Sequence, residues 1–166
     1  SLRHPMNIAI GKKMREFIFE QAGYNNKTNS FAYEGEITLV SGMALGIDTI
    51  WALVALKLKK EFPGKFKLEC AIPCINHGEN WSSESIHTYK EILRQADVVT
   101  YVSKEKYQPW LMQKRNMYMV DKSDITFAVW DGSRGGTGNC VAYAIKKKKP
   151  IYVLHPLKLT LTKINP

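Results

Sequence analysis

Four times along this chain a short, mostly apolar run gives way to a stretch whose apolar residues return every three or four positions. The runs are ITLV (37–40), LECAI (68–72), VVTYV (98–102) and ITFAVW (125–130). Short runs rich in β-branched residues predict strands, and the helical spacing after them predicts amphipathic helices over 49–60, 84–95, a segment ending near Val120, and 140–147. Ahead of the first run, Ile10, Met14, Phe17 and Ile18 recur at helical spacing among Lys and Arg, so a helix is expected from Pro5, a favourable first helical residue, to about Ala22. Residues 23–35 read as loop, and Pro150 precedes a last apolar run, IYVL (151–154).

Strands alternating with helices imply a parallel sheet covered on both faces: an α/β, Rossmann-like three-layer sandwich with a mostly parallel central sheet, in one domain over residues 1–166. In such sheets ligands bind beyond the carboxyl ends of the strands. Two of these ends carry glycine-bearing loops, SGMALGID (41–48) and DGSRGGTGNC (131–140). Glycine weakens regular structure and suits a tight turn or close approach of the backbone to a ligand. Either loop alone reads as an ordinary turn. Both on one edge, each opening a helix with free N–H groups at its positive end, point to a phosphate-containing ligand.

The net charge of +9 favours anionic partners, a broad class of nucleotides, nucleic acid or acidic surfaces. The densest run, Lys146 to Lys149, lies at a predicted helix end, where cations complement the dipole, and this reading outweighs a nucleic-acid patch. No apolar stretch has the length of a membrane span, and the first residues lack the pattern of a signal peptide, so a soluble cytoplasmic protein is expected. Cys70, Cys74 and Cys140 are odd in number and lack CxxC spacing, which argues against a disulfide framework and a structural zinc site. His77 and His87 have no clustered companions, so no metal is expected, and no cofactor either.

SGMALGIDTIWA, PWLMQKRNMYMVDKSD and AVWDGSRGGTGNCVAYA together resemble the YpsA-like branch of the SLOG superfamily, in content, order and spacing over about residues 37–154. The resemblance implies a Rossmann-like domain that binds nucleotides or nucleotide-derived signals. It implies a site built by Gly42, Gly46 and Asp48 from the first loop and by Asp131, Ser133, Gly135, Gly136, Thr137, Gly138 and Asn139 from the second. Members of that branch begin with a strand and a Gly-His-Arg-Pro loop before the first helix, whereas this chain opens at Ser1, close to where that helix should start. The expectation is that part of the natural N-terminus is missing, or that the alternating tail LKLTLTKI (157–164) pairs with the sheet instead. The related LOG phosphoribohydrolases carry a glutamate shortly after their glycine motif. That position falls here on Ala142, leaving Glu84, Asp131 or Asp48 as substitute catalytic carboxylates.

Other candidates come from the same predicted edge. Trp81 can stack on a base and Glu84 can accept a ribose hydroxyl, against an equal alternative in which Ser82 or Ser83 caps a helix and Glu84 complements its positive end. Trp110, Arg115 and Asn116 offer cationic and amide donors suited to phosphate or base edges, with Arg115 the main side-chain anchor; the alternative is a solvated helix face. Cys140 reads as a small buried hydrophobe ahead of a reactive thiol. Three functions follow in order: binding of a nucleotide or nucleotide-derived signal such as an ADP-ribose-like molecule, as sensor or sequestering protein; N-glycosidic hydrolysis; and single-stranded nucleic-acid binding, by analogy with the DNA-processing protein A branch. A homo-oligomer is expected.

Overall fold

A computed structural model describes residues 1–164. Helix α1 (Pro5–Ala22) starts at His4, whose ring accepts from the Met6 N–H at 3.2 Å, and ends at Gly23 with φ 67°. It buries Ile10, Met14, Phe17 and Ile18, the four residues whose spacing predicts it. The expected loop at 23–35 contains a small antiparallel hairpin, β1 (Tyr24–Asn25) and β2 (Ser30–Phe31). Aromatic contact accounts for it: Tyr24 stacks on Phe19 at 4.5 Å, and Phe31 meets Phe62 and Phe66 edge-on at 5.1 and 5.6 Å.

Then follow β3 (Ile37–Ser41), α2 (Ile47–Glu61), β4 (Phe66–Ile72), α3 (Ser83–Gln95), β5 (Val98–Tyr101), α4 (Leu111–Lys122), β6 (Thr126–Val129), α5 (Gly136–Lys146), β7 (Ile151–Leu154) and β8 (Leu161–Lys163). The alternation is that of the α/β, Rossmann-like class. Helix α5 starts earlier than spacing suggests, at Gly136, because glycines carry no periodic signal yet still adopt helical dihedrals.

The strands form two three-stranded sheets. In one, β3, β4 and β5 are parallel, with Ile37 beside Phe66 and Glu69 beside Val98. In the other, β6 and β7 are parallel and β8 is antiparallel to β7, with Tyr152 opposite Lys163. The alternating tail therefore does pair with the sheet, but on the outer edge of β7 and not in its centre. A tight turn explains the placement: the Leu159 N–H reaches His155 O at 2.9 Å and the His155 N–H reaches Thr160 O at 3.0 Å, folding the chain straight back on the nearest strand.

No ladder joins β3 to β6. Side chains span the gap: Phe127 of β6 lies 4.8 Å from Phe17 and stacks on Trp51 at 5.4 Å. The larger core, around Phe66, Leu68, Ile72 and Leu58, lies under β3–β5, and a smaller one, around Val120, Val141, Ala144 and Ile151, lies under β6 and β7. Among the described residues no helix is long and apolar enough to cross a membrane.

Candidate ligand-binding site

The loop after β3 is buried at Ser41, Gly42 and Met43 and fixed by side chains from three elements. Arg115 Nη1 donates to the Gly42 carbonyl, His77 Nε2 donates to the Met43 carbonyl at 2.8 Å, and Thr49 Oγ1 donates to the Ala44 carbonyl at 3.0 Å. Ser41 Oγ donates to the Asp48 carbonyl at 2.7 Å and accepts from the Met43 N–H at 3.2 Å, while the Asp48 carboxylate accepts from the Ala44 N–H at 3.1 Å. These bonds hold Met43 at φ 55°, a left-handed conformation costly to a side chain of its size. Gly42 is glycine for a local reason: a Cβ there would come within 2.9 Å of the Arg115 guanidinium.

The loop after β6 is held only at its base. Trp130 Nε1 donates to the Ser133 carbonyl at 2.8 Å, and Asp131 Oδ1 accepts from the Ser133 N–H at 2.9 Å. The hydroxyl and amide of Ser133 keep the Asp131 carboxyl below its usual range. Residues 131–137 are exposed. The N-caps of α2 and α5 are Gly46 and Gly135, and neither helix start receives a side-chain hydrogen bond, whereas His4 and Ser82 cap α1 and α3. Helix α4 likewise has no side-chain cap at Trp110, so three sets of helix-terminal N–H groups on the strand-carboxyl edge are left for another acceptor.

Helix α4 ties the loops together. Arg115, 5% exposed, donates from Nε to Asn116 Oδ1 at 2.9 Å, and Asn116 Nδ2 donates to the Gly136 carbonyl at 3.4 Å. Burial pulls the Arg115 pKa down and Asp48 pulls it up, yet among the described residues no carboxylate lies within ion-pair distance of it. A buried guanidinium without a counter-ion is costly, and an incoming anion would relieve that cost. The arrangement adds to the role expected of Arg115, since it also supports the first loop from beneath, and it replaces the alternative of a solvated helix face.

One continuous cavity of about 1220 Å³ is lined at its glycine end by Gly42, Asp48, Arg115, Asn116, Gly136 and Thr137, with Cys140 among them. Burial pushes the Cys140 thiol up to about 11, so it stays protonated, as expected of a small apolar group. Gly46, Asp131, Ser133, Gly135 and Asn139 form an exposed rim, and Gly138 is half-buried against the Ser133 carbonyl. Trp110, at 60% exposure, precedes α4. Trp81 is not among the cavity-lining residues and packs edge-on against His77 and Tyr89 at 4.9 and 5.4 Å. Glu84 is exposed in the first turn of α3, where Ser82 Oγ accepts from the Ser85 N–H at 3.2 Å: the capping arrangement. Ala142 is exposed on α5 and does not line the cavity.

Sequence reasoning missed Ser41, Thr49 and His77 as loop supports. The first two had a readable signal, hydroxyl residues flanking a glycine turn. His77 had none, because it arrives from 34 positions away.

The family model described as the YspA SLOG family (YpsA) matches residues 9–159. The uncharacterized SPbeta prophage-derived protein YoqJ of Bacillus subtilis (strain 168) is 35% identical over 136 residues, covering 74% of this chain and 79% of its own length. UPF0398 proteins of Bacillus cereus (strain G9842) and Bacillus thuringiensis (strain Al Hakam) are each 32% identical, covering 79% and 78% of this chain and 71% and 70% of their own lengths.

Proposed function

This chain belongs to the YpsA family of SLOG proteins, and on that premise we propose that it binds the phosphate of a nucleotide or nucleotide-derived molecule, of the ADP-ribose kind, as a sensor or sequestering protein. The observation that carries the reading is Arg115: a buried cation without a carboxylate partner, beside two helix starts without caps. Phosphate suits both features, since helix N–H groups and a guanidinium fork bind its oxygens.

Gly136 adds support. Its φ is not positive, and a Cβ built on it would meet no heavy atom within 4 Å, so nothing in the fold requires glycine there. Glycine in a helix nonetheless costs about 1 kcal/mol relative to alanine. Keeping the space above the helix start open for a ligand gives that cost a purpose. Binding without hydrolysis is favoured, because Glu84 lies exposed in the first turn of α3, outside the cavity lining, and Asp131 sits ionised on the exposed rim.

Titration calorimetry with ADP-ribose, ADP, AMP and inorganic phosphate tests the reading. At least one nucleotide should bind with a Kd below about 1 mM, and chromatography of the same mixtures should show no released base or ribose. Failure of the whole panel to bind would sink the reading, and release of base would favour a hydrolase. Binding confined to single-stranded nucleic acid, with a steep fall on adding salt, would favour the third function.

A further inference from the structure

Among the described residues two charged side chains are buried: Arg115, 5% exposed, and Glu69, 1% exposed. The anion site uses the first and leaves the second without a role. Glu69 lies in the middle of β4, beside Val98 of β5, and both of its oxygens are engaged. Oε2 accepts from Tyr118 Oη at 2.6 Å and from Thr100 Oγ1 at 3.1 Å, and Oε1 accepts from Lys122 Nζ. Burial raises the pKa of this carboxyl, and the bonds from Lys122, Tyr118 and Thr100 bring it below its usual range, so it is ionised.

Stability alone does not account for a charge in this position. A buried ion pair loses in hydration much of what it gains in attraction, and well-packed apolar residues of similar volume often serve as well or better. What directional bonds add is register. Apolar side chains can slide past one another, whereas a carboxylate gripped by three donors fixes each of them at hydrogen-bond distance.

Two of the three donors stand on α4, one turn apart, and Arg115 lies one turn before Tyr118 on the same face. The helical rise puts Arg115 about 4.5 Å from Tyr118 and about 10 Å from Lys122 along the axis. The far end of α4 is held a second time by Lys149, whose Nζ donates to the carbonyls of Val120, Asp121 and Ser123 at 2.9, 2.7 and 2.8 Å. Its near end, at Trp110, has no side-chain cap. Arg115 therefore meets the Gly42 carbonyl, and Asn116 the Gly136 carbonyl, from a helix whose height is set at its other end. A shift of about 1 Å along the axis takes an N–H···O bond out of range, so that height decides whether both contacts form.

We propose that Glu69 is a positioning residue for the anion site: by gripping Tyr118 and Lys122 it sets the height of α4, and with it the reach of Arg115 and Asn116 to the two glycine loops. Its bearing on ligand affinity rests on the phosphate-binding reading above.

The test replaces the polar grip by an apolar one, Glu69→Leu together with Tyr118→Phe, leaving the half-exposed Lys122 to turn to water. Tyr118→Phe alone is the milder variant, and Ile92→Val, in the core on α3, controls for general loosening. Solvent exchange of the Arg115 Nε–H is read by NMR without ligand, ADP affinity by calorimetry, and the midpoint by thermal melting, the first two on folded protein. In the double variant exchange should quicken about fivefold or more and the ADP Kd rise about tenfold, and Tyr118→Phe should move both the same way by about twofold. Ile92→Val should lower the midpoint and move neither. The proposal is overturned if exchange in the double variant stays at the parent's rate, or in Tyr118→Phe should the double variant not fold, or if Ile92→Val quickens it equally. Faster exchange with unchanged ADP affinity overturns the link to the site. Faster exchange with no ADP binding to any version, parent included, upholds the positioning role and overturns the phosphate reading instead.

Discussion

The loops after β3 and β6 serve the same edge of the fold and are built in opposite ways. In the first, the carbonyls of Gly42, Met43 and Ala44 are each bound by a side chain from elsewhere, and the turn is largely buried. In the second, the supporting bonds lie within a few residues of each other, the turn is exposed, and one bond of 3.4 Å joins it to α4. A site made of one fixed and one lightly held wall can keep a set position for charge on the first and adapt to the ligand's shape with the second. Substitutions in the first loop should therefore be felt in stability, and those in the second in affinity.

The largest effect is expected from Arg115→Ala, which removes the support of the first loop and the contact to Asn116 together. Unfolding free energy should fall by about 3 kcal/mol, the sum of bonds to a charged donor, and nucleotide binding should be lost with it. A denaturant melt showing no loss would mean that the loop is held without Arg115. Gly42→Ala comes next. Its Cβ would come within 2.9 Å of a guanidinium anchored on the Gly42 carbonyl and must displace it, so about 2 kcal/mol of stability should go in thermal melts, with weaker binding as a by-product. Gly136→Val inverts the pattern: stability should change by less than about 1 kcal/mol, while nucleotide affinity drops at least about tenfold in calorimetry. Equal affinity in a folded variant would remove the second loop from the site.

The smallest effect concerns pH. Burial lowers the His77 pKa below its ordinary 6.5, the Met43 carbonyl opposing it only in part. The unfolded chain then takes up a proton before the folded one does, so this contribution is intact above pH 6.5 and declines as pH falls from there toward the lowered folded value. Melting temperatures measured across that window should fall, and His77→Gln should flatten the curve. An unchanged slope would show that protonation of His77 does not bear on the stability of the first loop.

Much of this was legible in the chain. Local periodicity gives α1 almost to the residue, since Ile10, Met14, Phe17 and Ile18 face one core. The two glycine loops are placed on one edge by strand order alone. The rest depends on distant contacts. The aromatic hairpin at Tyr24 and Phe31 forms because Phe62 and Phe66 are there to receive it. Trp81 and Glu84 fit a ligand on paper, but the ring of His77 takes up one and the start of α3 the other. Arg115 is polar by sequence and buried by structure, a combination that periodicity cannot foresee.

The missing ladder between β3 and β6 bears on cooperativity. Hydrogen-bonded strands transmit unfolding from neighbour to neighbour, whereas here the two half-sheets communicate through helix side chains such as Phe17, Trp51 and the Arg115–Asn116 pair. The half built on β3–β5 holds the larger core and should outlast the other as the chain is warmed, giving two partly separate transitions. A ligand touching both glycine loops couples the halves from outside, so saturation should merge the two transitions into one as well as raise the midpoint.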